Sequence, residues 1–187
     1  MNISSVVGTL KETAEQVRVK ARGTELEKRL LEALSGENWG ASTTLLNQIA
    51  QDTYDYDKYN TVMKSMWHAM EATATSWRKV FKALSLMEFL VKNGNERIIE
   101  DARDRMGRLR GLSEYTFYEG SIDRGSGVRD KAQNMIELLR DNERIREERE
   151  KARQLRDKFA GFAGGNNFAG GYGGTGGGFR GGGGGGG

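Results

Sequence analysis

The sequence contains no cysteine, no proline and a single histidine, and each of these shortages removes a class of chemistry. The lack of cysteine excludes a disulfide framework, a thiolate zinc site, an iron–sulfur cluster and a cysteine nucleophile. His68 alone cannot form a multi-histidine metal site or provide a pair of imidazoles for catalysis. No glycine-rich loop opens a helix after a strand, and no pair of acids stands in a catalytic pattern. We therefore expect no enzyme, no metal and no cofactor.

Long apolar runs are also missing, and the charges are nearly balanced. No stretch of about 18 apolar residues is present, so we expect no membrane-spanning helix. The first residues lack the basic region and the apolar block of a signal peptide. The 29 basic and 26 acidic residues leave a net charge of +3, which is too small to favour general nucleic-acid binding. Attraction to anions must therefore come from local clusters.

The chain divides by composition into residues 1–23, 24–159 and 160–187. The middle segment carries apolar side chains three and four residues apart, which is the pattern of helices. Thr24 and Glu27 form a capping box at its start, and Asn93-Gly94 is a helix stop. We predict an all-α domain whose helices cover 24–34, 42–54, 59–70, 76–93, 98–109 and 128–159. Trp67 and Trp77 are expected in its core.

The end of the last helix and the segment after it each allow more than one interpretation. The charged run after Arg140 suits a solvated helix whose sparse apolar residues, Ile145 to Phe159, cover the end of the domain. A coiled-coil seam would need more apolar heptad positions. Seventeen of the 27 glycines lie in 160–187, which we predict to be a disordered spacer. An RNA-binding tail and a weakly self-associating segment are the alternatives.

Residues 1–22 form an amphipathic pattern when projected at about 100° per residue. The apolar stripe occupies one arc and consists of Ile3, Val6, Val7, Leu10, Ala14, Val17 and Ala21. Lys11, Arg18 and Arg22 flank one edge of the stripe and Lys20 flanks the other, whereas Glu12 and Glu15 point to the opposite side. Val19 is the only large apolar residue outside the stripe.

This arrangement is typical of a helix that lies in a lipid interface, because its cations can meet lipid phosphates while the stripe enters the acyl boundary. Burial of the five large aliphatic side chains would contribute about 1.5–3 kcal/mol each. Ordering the segment costs a comparable amount, so we expect the helix to need lipid in order to fold. The alternative is that the stripe packs on the helical domain.

Three stretches in the middle segment resemble the epsin N-terminal homology (ENTH) domain, in family order. They are TLLNQIAQDTYDYDKYNTVMKSMW, SWRKVFKALSLMEFLVKNGNERI and VRDKAQNMIELLRDNERIREERE. The resemblance covers residues 24 to about 155, and its most specific parts are Trp77 to Leu90 and Leu138 to Arg149. It implies a right-handed superhelix of about seven to eight helices. It also implies that the N-terminal segment folds on phosphoinositide headgroups and wedges one leaflet.

The resemblance also implies where headgroups bind. Lys79 stands where epsins place a basic or imidazole ligand, Arg78 and Lys82 flank it, and Arg29 matches a basic position in the first helix of the domain. The predicted headgroup contacts are Lys11, Arg18, Lys20, Arg22, Arg29, Arg78, Lys79 and Lys82. The predicted inserting residues are Ile3, Val6, Val7, Leu10 and Val17.

The sequence departs from the family pattern at several of these positions. Leu31 and Ala69 stand where epsins carry basic ligands, Gly36 replaces an asparagine and Asn38 replaces a proline. Since each charge-assisted bond is worth about 1.5–3 kcal/mol, we expect a weaker and less selective site, suited to a singly phosphorylated phosphoinositide. His68 and Arg97 are expected to be surface or packing residues rather than lipid contacts.

The function implied by the resemblance is that of a monomeric adaptor in clathrin-mediated vesicle trafficking. It would lie in the cytoplasm, peripheral on the plasma membrane, Golgi, endosome or clathrin-coated vesicles. It would bind membranes that contain phosphoinositides. The protein partners that the resemblance implies are clathrin, clathrin adaptors and a Vti-type SNARE. No binding to nucleic acid is expected. The alternative is a protein-interaction module for a SNARE or an adaptor with weak lipid binding. Asp-Pro-Trp and Asn-Pro-Phe repeats are missing, so we expect either a domain cut from a longer protein or a diverged tail.

Overall fold

The computed structural model describes the backbone of residues 3–165 and the side chains of residues 13–159. This part of the chain is almost entirely helical. The elements are α1 (Ile3–Arg22), α2 (Glu25–Ala33), α3 (Thr43–Asp52), α4 (Tyr56–Met70), a 3-10 turn (Ala74–Ser76), α5 (Trp77–Asn93), α6 (Arg97–Asp104), α7 (Met106–Leu112), β1 (Tyr118–Glu119), β2 (Ile122–Asp123), α8 (Ser126–Arg140) and α9 (Asn142–Gly165). The two short strands pair antiparallel, with Tyr118 opposite Asp123.

Side-chain caps are present at the starts of α2, α3 and α4. Thr24 accepts from the Glu27 amide while the Glu27 carboxylate accepts from the Thr24 amide, so the predicted capping box is present. Ser42 caps α3, and Asp55 caps α4 by accepting from the amides of Asp57 and Lys58. The Asp55 cap explains why α4 begins three residues before the predicted start.

Two predicted helices are each divided in two, so residues 3–165 contain the N-terminal helix α1 and eight further α-helices, in agreement with the seven to eight helices expected after an N-terminal amphipathic helix. The stretch 98–109 breaks at Arg105, and the stretch 128–159 breaks at Asp141, whose backbone is extended. A long-range contact stabilises the second break, because Arg103 donates to the Leu139 carbonyl over 2.9 Å and to Asn142. Periodicity alone could not show this contact, since it joins residues far apart in sequence.

The centre of the core is α5, which packs against α3, α4, α6 and α8. Its residues Val80, Ala83, Leu84, Met87 and Leu90 are completely buried. Trp67 is buried as expected, but Trp77 is only half-buried and its ring faces two cations. The expectation that Trp77 is a core residue is therefore corrected: it lies at the start of α5, where the helix leaves the core.

Glu88 on α5 connects three helices through ion pairs. Its carboxylate lies 2.9 Å from Lys92 Nζ and 2.7 Å from Lys131 Nζ on α8, and Lys92 also pairs with Glu148 on α9. Burial acts to raise the pKa of Glu88, but hydrogen bonds from Lys131 and Lys92 outweigh burial and hold the pKa below its usual value. The ionised carboxylate therefore stabilises the folded state.

We expect Glu88→Gln to lower the free energy of unfolding by about 1 kcal/mol at neutral pH, allowing for partial exposure of the pairs. Because the folded pKa is depressed, the stabilisation is present above the unfolded value near 4.5 and is lost as the pH falls through the folded value. Urea titrations at neutral pH and in acid measure this. Glu137→Gln, at an exposed position of α8, is the control; an equal loss in both variants would contradict the prediction.

The chain divides into two units, Met1–Arg153 and Gln154–Gly187. In the second unit the described part is the end of α9, which continues to Gly165 and so passes the predicted boundary at 160. The predicted disorder of the remaining tail lies outside the described residues. Ile145 is buried as expected, whereas Leu155 and Phe159 are exposed. Within 3–165, no helix combines the length and the apolarity needed to cross a bilayer.

Candidate membrane-binding site

The face of α1 that contacts the rest of the domain is not the apolar stripe. Val19 is buried, with 8% of its surface exposed, whereas Val17 is 61% exposed. At about 100° per residue these two valines are separated by about 200° around the helix. Ala14 and Ala21, which share the stripe with Val17, are exposed as well. In residues 13–22, α1 is thus held by Val19 and presents its stripe to solvent.

The junction between α1 and α2 depends on Gly23. Its amide donates to the Val19 carbonyl over 2.8 Å, and a Cβ at this position would lie 2.5 Å from that same oxygen. Any other residue would have to shift the last turn of α1. The glycine therefore permits the close turn that brings α1 against α2.

Four predicted inserting residues, Ile3, Val6, Val7 and Leu10, lie in the part of α1 whose side chains are not described, and so does Lys11. The backbone is helical throughout Ile3–Arg22, and helical periodicity places the four apolar residues on the stripe of Val17. Their insertion stays a prediction.

The predicted cations at the end of α1 are accessible. Arg18 pairs with Glu15 over 2.6 Å with both side chains more than half exposed, and its hydrogen bond lowers the pKa of Glu15. An exposed pair of this kind contributes little to stability, so Arg18 can exchange Glu15 for a lipid phosphate. Lys20 and Arg22 are exposed in the last turn, where they also stabilise the negative end of the helix dipole.

A second cationic group lies in a pocket of about 370 Å³ between the α2–α3 connection and α5. Arg78 and Lys82 line it together with Glu37, Trp39 and Trp77. The Arg78 guanidinium carbon lies 4.4 Å from the centre of the Trp77 ring, and Arg78 Nε is buried without an acceptor among the described residues. The positive charge of Arg78 would attract an anion to this pocket.

Lys82 is held at the inner side of the same pocket. Its Nζ donates to Ser35 Oγ over 3.1 Å. Burial lowers the pKa of Lys82, the Arg78 charge adds to that effect, and Glu37 opposes it. A bound phosphate would relieve the repulsion between Lys82 and Arg78. Lys79, which the resemblance placed in the site, is half-buried and is not among the residues that line this pocket.

Arg29, another predicted headgroup contact, has a partner within the protein. Its Nη2 lies 2.9 Å from Asp52 Oδ2 on α3, as an ion pair without good hydrogen-bond alignment, and Lys58 lies 3.2 Å from the other oxygen. Asp52 is buried. This arrangement joins α2 to α3 and α4, and a lipid phosphate would have to break it in order to bind Arg29.

We expect Arg29→Ala to lower the free energy of unfolding by about 2 kcal/mol, because it leaves the buried Asp52 with one exposed cation. Its effect on vesicle affinity should stay below about threefold. Thermal unfolding and vesicle sedimentation of the same protein separate the two roles. A stable variant with strongly reduced vesicle binding would instead make Arg29 a headgroup ligand.

The two positions at which apolar residues replace the basic ligands of epsins are partly or fully buried in the structure. Leu31 is half-buried on α2, and Ala69 is 1% exposed near the end of α4.

Sequence reasoning missed the exposed Trp39 and the acid Glu37 as pocket residues, since neither stands in a periodic pattern. Among the described residues, no cluster of histidine, aspartate and glutamate could hold a metal ion.

An all-α domain with an outward-facing amphipathic helix and a cationic, aromatic-lined pocket is of the class of helical binding modules. The sequence matches the family model of the ENTH domain over residues 23–145. The chain belongs to the ENTH-domain family.

Two curated relatives are an ENTH domain-containing protein of Schizosaccharomyces pombe and clathrin interactor 1 of Homo sapiens. The first is 44% identical over 140 residues, covering 74% of this chain and 29% of its own length. The second is 36% identical over 140 residues, covering 74% and 22%. The chain thus spans less than a third of either relative. Residues 1–22 lie outside the family match.

Solved ENTH domains have the same fold. The human epsinR ENTH domain aligns with a TM-score of 0.66 and 34% identity, over 70% of this chain and 98% of that one. The epsin-2 ENTH domain, solved in complex with phosphatidylinositol 4,5-bisphosphate, aligns with a TM-score of 0.66 and 27% identity, over 68% and 91%. The predicted all-α superhelical fold is confirmed.

Proposed function

We propose that this protein is a non-enzymatic, peripheral membrane adaptor. It binds phosphoinositides, inserts α1 into one leaflet and thereby promotes curvature and the recruitment of coat or cargo in clathrin-mediated trafficking. The observation that carries the proposal is the opposite placement of Val19 and Val17 on α1. A helix held to its domain by one face and apolar on the other can meet a bilayer while the domain stays folded.

The energetics of α1 favour a lipid-dependent contact. Each large aliphatic residue of the stripe contributes about 1.5–3 kcal/mol when it leaves water. Fixing the backbone of the segment costs about 1–2 kcal/mol per residue, part of which the packing of Val19 offsets. Binding is therefore expected only where anionic lipid adds electrostatic attraction to the apolar term.

The pocket on α5 supports recognition of the headgroup. Arg78 and Lys82 supply two cations, and the stacking of Arg78 on the Trp77 ring holds the first of them in place. The pocket suits a headgroup with few phosphates, because Arg78 and Lys82 are the two basic residues that line it and Glu37 offsets part of their charge. The complex of the epsin-2 ENTH domain with phosphatidylinositol 4,5-bisphosphate supports phosphoinositides as the class of ligand proposed for this protein.

Protein partners follow from the relatives. Since one relative is named clathrin interactor 1, clathrin and clathrin adaptors are the proposed partners. A Vti-type SNARE, which the family resemblance implies, is the proposed cargo. We propose a monomer that acts on cytosolic faces of the plasma membrane, Golgi or endosome. A second candidate function is a protein-interaction module with weak lipid binding, which the apolar Leu31 and Ala69 favour.

Vesicle co-sedimentation tests the first function against the second. The purified chain is mixed with phosphatidylcholine–phosphatidylserine vesicles that contain or lack a phosphatidylinositol monophosphate or bisphosphate. We expect binding to rise at least about tenfold with either phosphoinositide. Binding that ignores the phosphoinositide, together with SNARE or adaptor capture that survives Lys79→Glu and Leu10→Glu, would favour the second function.

A further inference from the structure

A second concave site lies between α4 and α6–α7. It has a volume of about 520 Å³. The residues that define it are Tyr59 and Trp67 on α4, and Arg97, Asp101, Arg105 and Arg108 on the α6–α7 side. We call it the α4–α6 groove. Neither the family resemblance nor the headgroup pocket uses these residues.

Two arginines in the groove are held by aromatic rings instead of by acids. The guanidinium carbon of Arg97 lies 4.7 Å from the centre of the Tyr59 ring, and that of Arg105 lies 5.3 Å from the centre of the Trp67 ring. Both arginines are exposed, and neither forms an ion pair within residues 13–159. A guanidinium stacked on a ring keeps its N–H edge available for a carboxylate, in a preorganised position.

The acids of the groove are already engaged. Asp101 accepts a hydrogen bond from the Tyr59 hydroxyl, and Glu71 pairs with Arg108. Burial and the bond to Asp101 raise the pKa of Tyr59, so this hydroxyl remains a donor at neutral pH. With Lys64 included, four cations face two acids, and the groove has an excess of two positive charges.

The groove is separate from the headgroup pocket. The two sites share no lining residue. Trp67 in the groove and Ala69, at the position the family uses for lipid, are about 200° apart around α4. If α1 and the α5 pocket meet the bilayer, that contact uses no residue of the groove, which is lined from α4 and α6–α7. Its occupant is then a molecule that arrives from solution.

We propose that the α4–α6 groove binds an acidic, extended segment of a partner protein. Carboxylates of the segment pair with the stacked Arg97 and Arg105, and its apolar atoms lie against Tyr59 and Trp67. Charge complementarity selects acidic ligands, and the stacked arginines lower the entropy cost of pairing. The proposal does not depend on the lipid function, because the sites have no residue in common.

The test measures binding of a fluorescein-labelled, glutamate- and aspartate-rich peptide by anisotropy, with an isosteric glutamine–asparagine peptide as the neutral probe. We expect the double variant Arg97→Gln/Arg105→Gln to lose at least about tenfold in affinity for the acidic peptide. Arg110→Gln removes one positive charge, against two in the double variant, from an exposed position of α7 outside the groove, and it should change affinity less than twofold.

Two further readouts separate the proposal from its rivals. The indole N–H resonance of Trp67 should shift on peptide addition more than that of Trp39, because Trp67 lies in the groove and Trp39 in the other pocket. Phosphoinositide-vesicle binding of the double variant should be unchanged. The proposal is overturned if Arg110→Gln weakens binding of the acidic peptide as much as the double variant does. It is also overturned if the neutral peptide binds with the same affinity as the acidic one, or if the double variant loses vesicle binding and the acidic peptide does not bind.

Discussion

Replacing Leu10 or Val17 by glutamate should lower the affinity for phosphoinositide vesicles by at least about thirtyfold. Each change removes an aliphatic contribution of about 1.5–3 kcal/mol and forces a carboxylate toward the acyl region. Val17 is exposed, so its replacement does not disturb the core. Co-sedimentation over a range of vesicle concentrations measures the change.

A control on the same helix distinguishes insertion from simple repulsion. Gln16 is exposed and lies about 100° from Val17 around α1, outside the stripe. Gln16→Glu adds the same charge and should weaken binding by less than about threefold, through electrostatics alone. Equal losses in Gln16→Glu and Val17→Glu would show that charge, and not burial of the stripe, governs binding.

Reversing the cations of the α5 pocket should remove the response to phosphoinositide. We expect Arg78→Glu/Lys82→Glu to lower vesicle affinity by at least about tenfold and to make binding independent of the phosphoinositide content. The measurement is the ratio of affinities for vesicles with and without phosphoinositide. Arg110→Glu, a reversal at an exposed site on α7, should leave that ratio unchanged.

A gain of charge at a family headgroup position outside the lining of the α5 pocket is a complementary check. Leu31→Arg places a guanidinium where the family resemblance puts a basic ligand. It should raise the affinity for a bisphosphorylated lipid several-fold and that for a monophosphorylated lipid less. Unfolding in urea confirms that each variant is folded. No gain in Leu31→Arg, combined with an unchanged ratio in the pocket double variant, would place headgroup binding elsewhere.

The periodicity of apolar residues was sufficient to predict most of the helices of the fold. The capping box at Thr24, the cap at Ser42 and the stop at Gly94 follow from short-range rules and are present. The break at Arg105 does not follow from such rules, whereas at Asp141 the carboxylate caps α9 by accepting from the Arg144 amide. The contact of Arg103 with the end of α8 also stabilises the break at Asp141, and a helical pattern continues across both breaks.

The site was predictable only in part, for the same reason. The pattern of α1 showed an apolar stripe and one valine outside it, but only tertiary structure shows that Val19 is the anchor. A match of residue type placed Arg29 in the headgroup site, whereas its ion pair with Asp52 depends on the packing of α2 against α3. Similarly, Trp77 was expected in the core because it is apolar, but in the structure its ring stacks against the Arg78 guanidinium at the pocket.

The most direct test uses the absence of cysteine, which allows a single label to be placed without background. Val17→Cys and Gln16→Cys are each labelled with an environment-sensitive fluorophore and mixed with phosphoinositide vesicles that carry acyl-chain quenchers. If α1 inserts by its stripe, the label at 17 should shift to the blue and be quenched, and the label at 16 should change little. Labels that respond alike, or no response at position 17 when the protein is vesicle-bound, would contradict insertion by the stripe.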